Sequence, residues 1–386
     1  MVNQREISVL DEKIASLNGL EVLPNYRLKN TLTADLECLL NIRGLSGNAG
    51  SFPFLDCICT QKNRNLPKSQ RKPCEQRTIK SCQENHQKWM EETHGDKKKV
   101  SRYQNCLNQP LLTKAFADAD FRLPLMHITC GIAVHDLGKL ENLLFGFDQT
   151  AAVWHLDSAQ RAGAFWDYIQ FMKYDQKLSE LKEKLNTTRS KQGKKFLNEE
   201  IQQLITEVKS VFGSEQPKLT KKTSLMMKLF NLALKKNGVK REKYWSGSLT
   251  GNNVYKFIHR IDPIFARFSA LIDSQYTITE LCKNPDRSHR CSDAFESSQT
   301  THQCALTALK QQLEKYVVLF QKYLKAYKAV NHSNAVSASE CDAAQQAIDE
   351  YMEYVHSAFD WKTTCNKAHY LQVFYSNMWS ITYVCL

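Results

Sequence analysis

The sequence contains no long hydrophobic run. No stretch approaches the roughly 18 to 20 consecutive apolar residues of a membrane-spanning helix, and residues 1–10 lack the basic-then-apolar order of a signal peptide. The 13 cysteines are an odd number and lack the tight repeated spacing of a secreted disulfide scaffold. Apolar residues make up 42% of the 386 positions, which excludes wholesale disorder and collagen-like composition. We expect a soluble intracellular protein with mostly reduced thiols and no membrane partner.

Local motifs for catalysis are also missing. The chain has no phosphate-cradling glycine-rich loop, no nucleophile elbow and no His-Glu-x-x-His helix. The thiols of Cys57 and Cys59 are separated by one residue, which is closer than the usual structural zinc knuckle requires. Composition and local motifs alone therefore indicate a basic, mostly helical protein without an evident reaction.

Positive charge is abundant and concentrated in two segments. The net charge is +12. Residues 60–80 carry seven basic side chains against Glu75 alone, and residues 214–245 carry nine against Glu215 and Glu242. Pro67 and Pro73 interrupt the first segment, so we expect an exposed basic loop there. Two interpretations stay open: solvated faces with a nuclear-import signal, or a surface that contacts the phosphate backbone of nucleic acid.

Hydrophobic spacing predicts helices over most of the chain. An amphipathic helix is expected to begin near Pro124, and leucines, isoleucines and valines at steps of three and four over 178–211, interrupted at Gly193, predict two antiparallel helices or a short coiled coil. Further helices are expected over 306–330 and 343–359. Strands are expected near Asp35 and after Trp379.

A series of short segments carries a family resemblance. In chain order they are Ala34-Asp35-Leu36, Arg43-Gly44-Leu45-Ser46-Gly47, Phe52 to Cys57, Arg77-Thr78-Ile79, Asn85 to Trp89, Pro110-Leu111-Leu112, Leu125 to Gly131, Thr250 to Phe257 and Lys367 to Leu371. In this order the chain resembles the cut-and-paste transposases related to the recombination-activating protein of V(D)J recombination and to Transib-type elements. That group has an RNase H-like core with a long helical insertion.

The resemblance implies a fold class and a domain plan. The expected fold is mainly α with a small, incomplete α/β part. Residues 1–60 would form a partial RNase H-like segment, residues 61–360 a mainly helical insertion domain of an RNase H-like transposase core, and residues 361–386 a truncated return segment.

The resemblance also implies catalytic ancestry. Enzymes of this group use two Mg²⁺ ions held by three carboxylates to displace phosphodiester oxygens in line. Asp35 matches the second acid and His127 matches a histidine near the strand-scission site, while no residue matches the first or third acid. We expect a catalytically incomplete chain of transposition or recombination ancestry.

A zinc site is implied in part. The family's zinc ion is held by a cysteine pair and a late histidine pair. Cys57 and His369 match one member of each pair, while Phe54 and Phe374 stand at the other two positions. Cys59 is a candidate third ligand. Structural zinc requires four ligands, and half of the matched positions lack one. We therefore expect apolar packing to have replaced the metal at this junction.

The expected partner is double-stranded DNA in the nucleus, together with a homo-oligomer or a full-length transposase. The candidate DNA contacts are nine basic residues from the two segments and one helix-start asparagine: Lys62, Arg64, Lys68, Arg71, Lys72, Lys221, Lys222, Lys235, Lys236 and Asn252. The alternative is a helical protein–protein interaction module without a nucleic-acid role, in which the 178–211 heptads mediate self-association.

Overall fold

The fold is that of a computed structural model. It describes residues 4–24, 26–47, 50–149, 164–188, 190–213, 220–242, 248–275, 292–331, 337–359, 365 and 367–372. The chain divides into two compact units: unit 1 comprises residues 1–135 and 319–386, and unit 2 comprises residues 136–318. The domain boundaries at residues 60 and 360 follow from the family resemblance. The division into compact units does not test them, so they stay a prediction.

Unit 1 contains four short strands and several helices. In chain order they are α1 (Gln4–Leu17), β1 (Glu21–Leu23), β2 (Tyr26–Arg27), β3 (Leu32–Thr33), α2 (Leu36–Ile42), α3 (Gln61–Arg64), α4 (Ile79–Thr93), β4 (Phe121–Arg122), the start of α5 (Leu125–Gln149), the end of α11 (Ser292–Val330) and α12 (Ala338–Ala358). Three 3₁₀ turns accompany them at Lys68–Gln70, Lys97–Tyr103 and Asp118–Asp120. Strands β1 and β2 pair antiparallel, whereas β3 and β4 pair parallel.

Buried arginines organise the interior of unit 1. The Arg43 guanidinium forms an ion pair with Asp118 and lies 4.1 Å from the centre of the Phe121 ring. Arg77 donates to the carbonyl oxygens of Gln104 at 2.9 Å and Phe52 at 3.3 Å. These contacts offset part of the cost of removing the two charges from water, while the Nε atoms of Arg43 and Arg77 are buried without a hydrogen-bond partner among the described residues.

Gly44 allows two chain segments to approach each other closely. It has a φ of +76°, and a Cβ atom at this position would lie 2.1 Å from the Asn108 carbonyl oxygen. The Gly44 carbonyl oxygen accepts from the backbone N–H groups of Leu107 and Asn108. The Arg43-Gly44-Leu45 motif thus has a local structural role, since only glycine fits this backbone.

Unit 2 is helical in its described part. It contains the remainder of α5, α6 (Ala164–Thr187), α7 (Lys191–Phe212), α8 (Leu225–Lys236), α9 (Gly251–His259), α10 (Ile261–Gln275) and the first part of α11. Phe230 of α8 packs edge-on against Phe268 of α10, with ring centres 5.2 Å apart. Buried Asp148 accepts from the Met226 N–H at 3.0 Å and from the Ser224 hydroxyl, which fixes the start of α8.

The predicted mainly helical fold class is confirmed. The helix expected near Pro124 begins at Leu125, and the Ile128 N–H donates to the Pro124 carbonyl oxygen at 3.0 Å. The strand expected near Asp35 is β3, while the strand expected after Trp379 lies outside the described residues. None of the described helices combines the length and apolar character needed to span a membrane.

The expectation of an exposed basic loop over residues 60–80 is wrong in part. The segment contains α3, a 3₁₀ turn and the beginning of α4. Arg64 and Arg77 are each only 1% exposed. The Arg64 guanidinium lies 5.7 Å from the centre of the Phe54 ring, so an aromatic face takes the place of solvent.

Helices α6 and α7 form the predicted helical pair. Leu181, Ile201 and Leu204 are buried between them, and Leu178, Leu185 and Leu197 pack around this cluster. Helix α6 ends at Thr187 and α7 begins at Lys191, so Gly193 lies inside the first turn of α7. The leucines proposed for self-association therefore already have partners within the chain.

We expect Ile201→Val to lower the free energy of unfolding by about 1 kcal/mol, because it removes one buried methyl group. Urea denaturation followed by circular dichroism measures this change, and Val211→Ala, at a position that is 57% exposed, is the matched control. The midpoint should not depend on protein concentration. A concentration-dependent midpoint that the substitution abolishes would instead favour the self-association alternative.

Candidate functional site

The two predicted catalytic residues lie beyond the same end of the parallel strand pair. Thr33 of β3 is paired with Arg122 of β4. Asp35 follows β3 by two residues, and His127 lies in the first turn of α5, shortly after β4. Because the carboxyl ends of parallel strands meet at one edge of a sheet, both residues belong to this edge. Both are exposed.

Asp35 has a structural role at this edge. It is the N-cap of α2, and its Oδ1 accepts from the Cys38 N–H at 2.9 Å. His127 contributes its backbone carbonyl oxygen to the Lys367 ammonium at 3.1 Å. The His127 side chain is exposed and is not part of the core.

The implied metals do not fit the side chains at these positions. Two Mg²⁺ ions require three carboxylates, and Asp35 is a single carboxylate engaged in capping a helix. Among the described residues, no group of three or more His, Cys, Asp or Glu side chains is arranged to hold a metal ion.

The predicted zinc remnants lie in direct contact. Cys57 Sγ lies 3.3 Å from His369 Nε2, although 312 positions separate the two residues. The Phe54 ring lies 4.2 Å, centre to centre, from the His369 imidazole, at the position where the resemblance requires a thiolate. Tyr370 fixes the junction, because its hydroxyl accepts from the Leu55 N–H at 2.9 Å and donates to the Pro53 carbonyl oxygen at 3.0 Å.

Burial sets the protonation states at this junction. Desolvation, with smaller contributions from the nearby charges of Arg71 and Arg64, lowers the pKa of His369 to about 3, so the imidazole is neutral. The hydrogen bond with Cys59 and burial raise the pKa of Cys57, which keeps it a thiol. The same hydrogen bond, opposed by burial, lowers the pKa of Cys59 to about 6.

The junction is a packed contact of aromatic and thiol side chains. A neutral imidazole, a neutral thiol and a phenyl ring form a tight contact, but they do not supply the four ligands of a structural zinc site. The other predicted replacement, Phe374, lies outside the described residues. His369 Nδ1 is buried and has no hydrogen-bond partner among the described residues.

The basic residues of the first segment are mostly engaged within unit 1. Lys68 forms an ion pair with Asp349 at 2.6 Å. Arg71 donates to the Gln372 side-chain oxygen at 2.5 Å and to the Leu66 carbonyl oxygen at 2.7 Å. These contacts and the burial of Arg64 leave Lys62 and Lys72 as the exposed candidates, and neither forms an ion pair with a described residue.

The lysines of the second segment are more available. Helix α8 contains no acidic residue, and its buried face is lined by Met226, Met227, Leu229, Phe230, Ala233 and Leu234. Its opposite face exposes Lys228, Lys235 and Lys236. None of these three ammonium groups forms an ion pair with a described residue. Exposed Lys222 precedes the helix, whereas Lys221 forms an ion pair with Glu141 at 3.6 Å.

The first turn of α9 joins this surface. The Lys240 N–H donates to Asn253 Oδ1 at 3.1 Å, and the Asn253 amide donates to Glu242 at 3.0 Å. This anchors exposed Lys240 to the helix turn that also carries exposed Asn252. We call Lys222, Lys228, Lys235, Lys236 and Lys240 the α8 lysine surface. Lys228 and Lys240 were not among the candidates named from the sequence. The seven-residue spacing of Lys228 and Lys235, which places both on one helix face, is the sequence signal that identifies Lys228.

In comparisons with known proteins, the chain matches no family model, no curated protein and no solved structure.

Proposed function

We propose that this chain is a transposase-derived protein that binds double-stranded DNA through the α8 lysine surface. The observation that carries the proposal is the exposed face of α8, where positive charges project without acidic neighbours on the same helix. Such a face attracts the phosphate backbone and releases its condensed counterions, independently of base sequence. DNA binding in this mode suits a nuclear protein.

The transposase ancestry is supported by the Cys57–His369 contact. The resemblance requires these two positions to meet, and nothing in the local sequence around either residue would bring them together. The parallel β3–β4 pair beside Asp35 is in keeping with an α/β remnant. In this proposal the chain contributes DNA binding, alone or with a second copy or a full-length transposase, and does not itself carry out strand transfer.

We expect a steep dependence of DNA affinity on salt concentration. If the five lysines of the surface each contact a phosphate, log K falls with log salt concentration with a slope of about −4 to −5. Fluorescence anisotropy with duplexes of unrelated sequence, measured between 50 and 200 mM salt, gives the slope. Absence of binding at the lowest salt concentration would contradict the proposal.

Catalysis is tested separately on the same preparation. Asparagine caps a helix as well as aspartate does, so Asp35→Asn removes the charge while preserving the start of α2. We expect no Mg²⁺-dependent nicking of supercoiled DNA by either protein. Nicking by the wild type that Asp35→Asn abolishes would show that the chain retains activity.

A further inference from the structure

Three thiols lie near an isolated antiparallel β-bridge in unit 1. Cys57 is paired with Gln76. The Ile58 N–H donates to the Glu75 carbonyl oxygen at 2.8 Å, and the Arg77 N–H donates to the Asp56 carbonyl oxygen at 2.9 Å. These bonds flank the Cys57–Gln76 pair, which is therefore a non-hydrogen-bonded pair. Continued by two residues, the same register places Cys59 opposite Cys74, on the face that carries Cys57.

The side chains agree with this register. Asn63 Nδ2 lies 3.6 Å from Cys59 Sγ and 3.2 Å from Cys74 Sγ, so one amide group touches both sulfur atoms.

Asn63 is itself held firmly. Its N–H donates to the Thr60 hydroxyl at 3.1 Å, and its side chain bonds both the N–H and the carbonyl oxygen of Lys72, at 2.9 and 2.8 Å. These bonds bring the two ends of segment 60–73 together beside the sulfur atoms.

The spacing suits a covalent bond. Opposed residues in a non-hydrogen-bonded antiparallel pair have Cα atoms about 4.5 Å apart, within the range of about 4.4 to 6.8 Å that disulfides adopt. Cys59 is 1% exposed, whereas Cys74 is half-buried, so a small oxidant approaches the pair from the side of Cys74. We infer that Cys59 and Cys74 are a peroxide-sensitive thiol pair, which closes segment 60–73 into a covalent loop.

The chemistry balances with hydrogen peroxide as the oxidant. Peroxide converts one thiol of the pair to a sulfenic acid and releases one water. The sulfur of the other thiol then attacks this sulfur, the S–S bond forms, and the sulfenic oxygen leaves as a second water with the remaining thiol proton. Two thiols have lost two hydrogens, and a small-molecule dithiol restores them by exchange. The inference is independent of DNA binding.

Peptide mapping of the full chain tests the pairing. The protein is treated with hydrogen peroxide, alkylated and digested with trypsin without reductant. Cys59 lies in the tryptic peptide 44–62, and Cys74 is the only cysteine of peptide 72–77, because trypsin does not cleave before Pro73. We expect a cross-link between the two peptides that disappears with dithiothreitol. Cys59→Ser should abolish it, while Cys57→Ser and Cys38→Ser, at an exposed control cysteine, should retain it.

Several results would overturn the inference. A bridge within peptide 44–62 would show that Cys57 pairs with Cys59 instead. A cross-link that survives Cys59→Ser would assign Cys57 as the partner of Cys74. A stoichiometric zinc ion that co-purifies with the wild type and is lost in Cys74→Ser would show that the thiols hold a metal. If peptides 44–62 and 72–77 of the oxidised wild type remain separate, the two cysteines do not form a disulfide. This test needs only the wild-type protein, so it does not depend on whether the variants fold.

Discussion

Replacing Lys228, Lys235 and Lys236 with alanine is expected to weaken binding to duplex DNA by about 10²-fold near 0.1 M salt. Each lost phosphate contact reduces the salt slope by about 0.9, so the triple variant should show a slope lower by roughly 2.7. The loss should be the same for unrelated sequences, because backbone contacts position a protein without reading bases. Anisotropy titrations at several salt concentrations give both quantities.

The control carries the same change in charge elsewhere. Lys97, Lys98 and Lys99 are exposed and lie in a 3₁₀ turn of unit 1, outside both basic segments. Their triple alanine variant should leave the salt slope close to that of the wild type. Equal losses in the two variants would mean that net charge alone controls binding, which would contradict a localised surface. Lys235 and Lys236 also lie in the last turn of α8, where cations stabilise the helix dipole. Circular dichroism must therefore show that the triple variant keeps the helix content of the wild type.

Sequence patterns predicted the helices well and the charged surface poorly. The α6–α7 pair and the start of α5 follow from local apolar spacing and from Pro124, because both depend on neighbours three or four positions away. The basic run over residues 60–80 gave no indication that Arg64 is buried or that Lys68 meets Asp349, 281 positions later. Charge counts record where cations occur in a sequence, but only the fold decides which remain in water.

The junction was predicted through the resemblance rather than through local physics. Neither Cys57 nor His369 has a metal-binding partner at standard spacing, and their contact depends on the whole intervening chain. The Phe54 ring packs against His369, and its role as the replacement of a zinc ligand stays a prediction. Cys74 gave no such signal, because its register opposite Cys59 is set by backbone hydrogen bonds that a pattern of residue types does not reveal.

Burial of a neutral histidine makes stability depend on pH. In the folded protein the pKa of His369 is about 3, whereas an unfolded histidine has a pKa of about 6.5. Between these values the unfolded chain binds a proton that the folded chain does not, so the free energy of unfolding falls as the pH falls. The side chain is only 5% exposed, so solvent screens this effect little.

We therefore expect His369 to contribute a loss of about 3 kcal/mol between pH 7 and pH 4, at about 1.4 kcal/mol per pH unit below 6.5. Urea denaturation at a series of pH values measures the loss. His369→Met, which fills a similar volume without titrating, should flatten the curve in this window. His127→Gln, at an exposed histidine, should leave it unchanged. A His369→Met curve as steep as that of the wild type would place the pH sensitivity elsewhere.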